Sequence, residues 1–564
     1  MSVFGAIGEF AIGDIGLEYV DESEFAKFIR SAKSSRFILQ FSAVRRQGGY
    51  LGEALAFSIG EGPIGDIPGG DVVLDEKTYF LSDGKWIGKP SDPFYPNKET
   101  DPRIVSTSDI ERTMPMSPEA SRRGEITVGG YEFTNVDSGL DELIAERSIA
   151  NRVSSLYYGP ARAPFSSYRL VAEMNGVSFE STLDTIKMRV VSTTAQLDSP
   201  LHLIRYQGTG GREGDLSLKD TVVPVCYGEC FNITPVLERA DLYIYRVHDS
   251  AMLAVDSVKE AGLPFVNDGD VDNYNQLVAA TVPSGHYLTC LSEGRFRAGF
   301  SGAPAGLVTC DVRGDVDASG YTDRTGPILL KIAINRAKIS TNFLDVSIFN
   351  QLPTGAIGYY SPQEERPVSQ IFDDLLRGIN GWYGTRRNRL LRVDYILPPE
   401  GRPVGKYLVT SDCISIEEME VSQPPRYEQS VIYRKNWTPM TEDQVSLTLD
   451  ADERAALLST GQPLRSYAAD TKVRDRNSIR GETITTYFRD ATPAQDVLDR
   501  LMALYRESRR QFRVRIDRQG YLLDLQTYVN LSHNRLGLSS GLNTVITTVR
   551  DDGKSEQVEL ILWG

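Results

Sequence analysis

The residues best equipped for chemistry in this chain are few and scattered. Cys226 and Cys230 are the one close pair of soft ligands. The surrounding Val-Pro-Val-Cys-Tyr-Gly-Glu-Cys-Phe reads as a strand, which would set the two sulfurs roughly 13 Å apart. Zinc binds sulfur at about 2.3 Å, so buried free thiols are expected instead. The four histidines are His202, His248, His286 and His533, and none falls in a paired-ligand spacing. His248-Asp249 invites comparison with a catalytic pair, yet neighbours on a strand point to opposite faces. The loop Gly208–Gly214 (GTGGREG) looks like a phosphate cradle but lacks the lysine and serine or threonine that end one, and no helix follows. It reads as a tight connection between strands. Asp315–Gly320 (DVDASG) matches the first half of a calcium loop, but Gly326 stands where the closing glutamate belongs. Arg313-Gly314-Asp315 spells a tripeptide known from cell adhesion. No spacing singles out a pair among the 76 acidic residues. No residue is therefore assigned a catalytic, cofactor-binding or metal-ligating role, and no cofactor is implied.

The scaffold behind these residues reads as mainly β. A chain of 564 residues exceeds one hydrophobic core. Its 49 glycines, 28 prolines and 27 tyrosines favour strands joined by tight turns. The longest apolar runs, such as 328–334, fall far short of a membrane span, and 1–16 lacks the basic start of a secretory leader. Five scattered cysteines suit a reducing compartment. The formal net charge of −15 disfavours a nucleic-acid binder, which needs basic patches on phosphate.

Along the chain, strands are expected at 36–44 and 72–82, with a Gly-Pro-rich turn at 60–70 between them. An extended arm or loop follows over 89–116, then a strand-turn-strand at 124–135. Three strands are expected over 168–194, broken by a hairpin turn at Asn175-Gly176. Helices are expected near 271–280, capped by Asp270 or Asp272, and near 327–337, 345–352 and 368–380. Strands follow at 389–396, 430–436 and 482–489, with a short acidic helix at 451–457. Thr492 is expected to cap the one long helix of the C-terminal region, with Pro493 in its first turn. A hairpin of 543–550 and 557–563 closes the chain.

Three segments in this order resemble the tail-tip hub proteins of siphophage-like bacteriophages and prophages. The first runs from Arg123-Gly124-Glu125 to Asn135-Val136-Asp137-Ser138-Gly139-Leu140-Asp141. The second opens at Tyr206 with YQGTGGREGDLSLKDTVVPVCYGE. It continues through Tyr245–Asp249, Val282–Cys290 and Asp311–Asp315 to Ala356–Tyr360 and Asn380–Gly384. The third is Tyr433-Arg434-Lys435-Asn436-Trp437-Thr438-Pro439. The resemblance implies an α+β, mainly β fold, with two tail-tube-like β-barrel domains flanking a mixed α/β insert. The implied divisions are an N-terminal segment or arm over 1–100, a first barrel-like domain over 101–205, the insert over 206–400 and a second barrel-like domain with one long helix over 401–564.

By the same resemblance the chain is expected to be a non-enzymatic baseplate hub in the virion, made in the host cytoplasm. It would close or extend the tail tube as a homo-oligomer, a trimer. Its partners would be a distal tail or tube ring protein and tail fibres or other tip proteins. DNA would pass through without specific binding, and no membrane insertion is expected. A distal tail ring is the alternative of the same class; a tail-associated cell-wall hydrolase and a receptor-binding adhesin are alternatives of other classes.

Overall fold

The computed structural model of the chain describes residues 35–45 and 75–564, apart from 108, 151, 421–423, 469, 470, 478 and 554. The first 16 residues, the turn at 60–70 and the start of the strand expected at 72–82 lie outside these. The protein is α+β and mainly β, with five sheets of three or more strands among the described residues.

The first sheet has eight strands. Its order is Glu76–Ser82, Ser35–Arg45, Val153–Pro160, Arg169–Ser181, Thr185–Val191, Tyr131–Thr134 and Ile104–Ser106, with Arg147–Ser148 beside Ser35–Arg45. Alternation decides which face is buried. Phe37, Leu39, Phe41 and Ala43 enter the main core, while Ile38 on the opposite face packs with Trp86, Phe165 and Tyr168. The ends of this order meet. Ser82 N–H donates to Asp101 O at 2.8 Å, Asp101 N–H donates to Phe80 O at 3.0 Å, and Thr134 N–H donates to Arg103 O at 2.8 Å. The segment 101–106 thus stitches the two edges together and closes the sheet into a barrel.

The C-terminal sheet also has eight strands, in the order Lys406–Leu408, Tyr528–Leu531, Leu542–Asp552, Gln557–Trp563, Gln511–Ile516 and Cys413–Met419. Its outermost strands, Lys406–Leu408 and Cys413–Met419, are joined by residues 409–412 alone. Five peptide steps reach at most roughly 17 Å, so this sheet must curl until its edges approach. The remaining two strands, Ile110–Thr113 and Glu125–Val128, come from the N-terminal part of the chain and attach to Leu542–Asp552. Strand exchange and packing join the two barrel-like bodies. One continuous cluster runs from Phe37 through Tyr158 and Tyr521 to Trp563, with ring centroids 4.8 Å apart for Phe37–Tyr158 and 4.7 Å for Tyr158–Tyr521.

Between them in sequence lies a module with its own core of Cys226, Cys230, Val247, Val255, Tyr287, Phe296, Cys310 and Val312. It is built from a six-stranded sheet centred on Val308–Asp317 and a five-stranded sheet centred on Arg295–Ala298. The helices Thr325–Asn335 and Val368–Arg377 that follow bury their apolar faces elsewhere, although Lys331 and Asn335 still reach the module. Ile328, Leu329, Ile332, Ile371, Phe372 and Leu375 pack into the main core.

Several local expectations are corrected. The arm expected over 89–116 contains the strands Ile104–Ser106 and Ile110–Thr113, drawn into two different sheets. The strand-turn-strand at 124–135 is not a hairpin, because Glu125–Val128 pairs in the C-terminal sheet and Tyr131–Thr134 in the first. Asn175-Gly176 makes no turn and lies inside the continuous strand Arg169–Ser181. A Cβ on Gly176 would stand 2.7 Å from Ile149 O, so the glycine serves close backbone approach. The helix expected at 271–280 starts at Tyr274 and is capped by Asn273, whose side chain accepts from Gln276 N–H at 3.1 Å. The long helix is Ala491–Tyr505 with Asp490 at its cap position, ahead of Thr492. Of the strand expected at 482–489, only Ile484–Thr485 forms.

Candidate functional site

The inner module gathers most of the residues singled out above. Cys226 and Cys230 lie in one strand, Val225–Ile233, but their sulfurs are 3.6 Å apart, not the spacing of an extended strand. Gly228 between them has φ +65, a conformation that glycine adopts without a Cβ penalty. It folds the strand back so that both thiols enter the same core. Burial pushes the Cys230 and Cys310 thiols well above their ordinary range. Among the described residues no group of three or more His, Cys, Asp or Glu side chains is disposed to hold a metal.

His248 is fully buried, and here too the local expectation is corrected. It lies beyond the end of the strand Ile244–Arg246, so its ring is free to approach Asp249, with Nε2 3.6 Å from Oδ1. The ring's Nδ1 accepts the Cys226 backbone N–H at 3.0 Å. An accepting Nδ1 leaves the proton on Nε2, which faces Asp315 Oδ1 at 3.2 Å and Ser250 Oγ at 2.9 Å. Ser250 therefore meets an N–H and not a lone pair, although it opens on a cleft of about 520 Å³. A nucleophile needs a base at that position. In this arrangement the histidine is a tie between strands.

The carboxylates around it are neutralised in pairs. Asp249 takes a two-pronged contact from Arg336, Nη1 to Oδ2 at 2.5 Å and Nη2 to Oδ1 at 2.8 Å. Burial works to raise the Asp249 pKa, but the Arg336 guanidinium outweighs it and brings it to about 2. Lys331 Nζ donates to Asp315 Oδ2 at 2.7 Å. Glu238, also fully buried, receives Arg246 at 3.2 Å and Arg295 at 2.6 Å. Arg295 reaches on to Glu293, which binds Arg212 of the glycine-rich loop at 2.8 Å. That loop is closed by its own backbone, with Gly208 N–H on Glu213 O at 2.9 Å and Gly210 N–H on Gly214 O at 2.8 Å.

The adhesion tripeptide lies within the strand Val308–Asp317. Arg313 pairs with Asp256 at 2.8 Å, a Cβ on Gly314 would stand 2.2 Å from Cys226 O, and Asp315 is occupied as described. The half calcium loop is the end of this strand and the turn after it, where Asp317 binds Ser319 and Asn335. His202 spans Val223 O and Ser361 Oγ at 2.8 and 3.0 Å. His286 contacts Asp268 at 2.8 Å, and His533 accepts Arg535 N–H at 3.2 Å.

A second convergence joins the module to the C-terminal region. Asn232 Nδ2 donates to Asn436 Oδ1 at 2.9 Å and to Thr438 O at 2.8 Å, and Thr234 meets Thr438 at 2.9 Å. Asn436 Nδ2 caps the carbonyls of Leu457 and Ser459, both at 2.9 Å. Trp437 stands edge-on to Tyr359 and Tyr360, with centroids at 5.6 and 6.2 Å. Segments from the central and third blocks of the sequence resemblance meet here.

Beside this seam is a pocket of about 500 Å³, lined by Glu229, Asp256, Asp311, Arg313, Asp323, Arg434, Lys435, Trp437, Tyr487 and Arg489 among others. The Lys435 Nζ lies 3.7 Å from the Trp437 ring centroid and 4.8 Å from that of Tyr487. Burial lowers the Lys435 pKa to about 8, although Asp374 acts to raise it. No motif or spacing in the sequence marks this site. The adjacency Lys435-Asn436-Trp437 hinted at it, but Tyr487 and Glu229 arrive only through folding.

With the fold and these sites described, the class is a mainly β, α+β protein of two barrel-like bodies and an inserted module. No family model matches the sequence, and no curated protein matches it. Among solved structures the chain is similar to a component of the virion of a native gene transfer agent particle, at 12% identity, covering 61% of this chain and 84% of that one with a TM-score of 0.41. It is similar to the tail protein from Neisseria meningitidis MC58, at 8% identity, 83% and 94% coverage and a TM-score of 0.35. It is also similar to the 43 kDa tail protein of prophage MuSo2 from Shewanella oneidensis, at 9% identity, 82% and 97% coverage and a TM-score of 0.33.

Proposed function

We propose that this chain is a structural hub of a phage-type tail tip, one of several copies that close or extend a tail tube and carry other tip proteins. The observation that carries this reading is the joining of two barrel-like sheets over one continuous core, with strands exchanged between them, beside a module that has its own core. A single chain with two barrel units supplies two adjacent wall segments, so three copies make a pseudo-sixfold ring. The module supplies a separate surface for fibres or other tip proteins. Structural use of the polar groups fits the same reading, since Asp249, Asp315 and Glu238 are each consumed by a buried cation. The net charge of −15 suits a wall past which DNA moves without adhering.

The test is the mass of the assembled ring by native mass spectrometry, combined with a peptidoglycan zymogram. Three chains and no clearing are expected. Six chains would point to a distal ring, and clearing that persists in the purified chain would replace the structural reading with a hydrolase.

A further inference from the structure

The pocket beside Lys435 has an unusual charge balance. Arg489 is matched by Glu229 at 2.5 Å, Arg313 by Asp256 at 2.8 Å, and Asp311 by Lys259 at 2.5 Å. Two cations are left over. Lys435 has no carboxylate within ion-pair distance among the described residues, and neither has Arg434, whose guanidinium lies 5.2 Å from the Phe231 ring centroid. One carboxylate, Asp323, is likewise unmatched. The lining as a whole is neutral, with four acidic and four basic side chains, but Lys435 and Arg434 stand in it without an ion-pair partner among the described residues.

Aromatic faces stabilise an ammonium, but they accept no hydrogen bond of the strength a carboxylate does. All three donors of Lys435 are thus still available among the described residues. The Trp437 indole N–H also has no acceptor among the described residues. Glu229, Asp256 and Asp311 are already taken by Arg489, Arg313 and Lys259, so an entering ligand need not break an existing ion pair to reach Lys435. A volume of about 500 Å³ admits a side chain or chain end and not a folded surface.

We propose that this pocket is a carboxylate-binding site, in which Lys435 and Arg434 receive a single acidic group from a partner polypeptide. The aromatic walls of Trp437 and Tyr487 hold the ammonium in place, and the incoming carboxylate supplies the missing acceptor. The inference goes beyond the assembly reading and does not depend on it.

Tryptophan fluorescence of the full chain tests it. Trp86, Trp382 and Trp563 are at most 4% exposed, so a pocket ligand reports through Trp437. The probes are acetyl-Ala-Ala with a free carboxylate, acetyl-Glu-amide, and acetyl-Ala-Ala-amide as the uncharged control, all at matched chloride. A saturable change with at least one acid is expected, about tenfold weaker in Lys435→Met and partly retained in Lys435→Arg. A response to acetyl-Ala-Ala alone assigns a chain terminus, and one to acetyl-Glu-amide alone assigns an acidic side chain. No saturable response to either acid overturns the proposal, as does an equal response to the amide or an unchanged titration in a folded Lys435→Met. A second readout needs no variant. Acetylation of Lys435 in the unmodified protein, followed by peptide mass mapping, should slow several-fold with the acid probe present; an unchanged rate also overturns the site.

Discussion

Arg387 and Asp551 form a two-pronged buried ion pair, Nη1 to Oδ2 at 2.6 Å and Nη2 to Oδ1 at 2.8 Å. Arg112 joins from the N-terminal part of the chain, donating to Asp551 Oδ2 at 2.8 Å and to Val171 O at 3.0 Å. This one carboxylate thus ties the C-terminal sheet to the linker after the inserted module and to the first barrel. Asp551→Ala would leave two guanidiniums buried without a counter-charge, which costs about 3–5 kcal/mol. A clear fall in the first thermal transition is expected, larger than for Asp109→Ala at the exposed pair with Arg550. Differential scanning calorimetry of both variants checks the order.

Acid should loosen the inserted module through Asp249. Its folded pKa of about 2 lies below the roughly 3.9 of an unfolded aspartate. A depressed folded value means stability that is complete above the unfolded pKa and is lost as pH falls through the folded one. Asp551 is shifted the same way, because Arg387 and Arg112 outweigh the opposing effect of burial. The Asp249 contribution should be complete above pH 5 and should be lost between about pH 4 and pH 2, with Asp551 acting in the same direction. Chemical denaturation at stepped pH measures this, and in Arg336→Met the contribution from Asp249 should be absent.

The five thiols should separate by burial. Cys226, Cys230, Cys290 and Cys310 are buried, while Cys413 is partly exposed. A disulfide-exchange reagent should modify Cys413 first and reach the other four only on unfolding, because the thiolate is the reactive form and burial disfavours it. Rapid modification of Cys226 or Cys230 in the native protein would contradict the packing around Gly228.

Asn232 and Asn436 should behave as one unit. Asn436→Ala removes the partner of Asn232 and uncaps Leu457 O and Ser459 O, and each polar group so stranded costs about 1–3 kcal/mol. The double variant with Asn232→Ala should be less destabilised than the sum of the singles. Hydrogen exchange should rise at 231–234 and 456–459 together.

Ser250 should be inert towards a fluorophosphonate probe, because the proton on His248 Nε2 leaves no base beside it. Labelling at Ser250 would show that the ring takes the other tautomer.

The residues by themselves determined the mainly β character, the helices Thr325–Asn335, Val368–Arg377 and Ala451–Leu458, and the closing hairpin of Leu542–Asp552 with Gln557–Trp563. These depend on local periodicity and turn chemistry, which a short window contains. Partner choice does not. Glu125–Val128 and Tyr131–Thr134 look like one hairpin and join different sheets, because each apolar face is buried only against strands distant in sequence. Asn175-Gly176 reads as a turn, yet the fold uses the missing side chain for contact with Ile149. Cys226 and Cys230 read as far apart until a left-handed Gly228 turns them together. Only the tertiary structure decided that Lys435 lies between Trp437 and Tyr487 with no carboxylate within ion-pair distance among the described residues. Burial and charge balance are sums over neighbours from the whole chain.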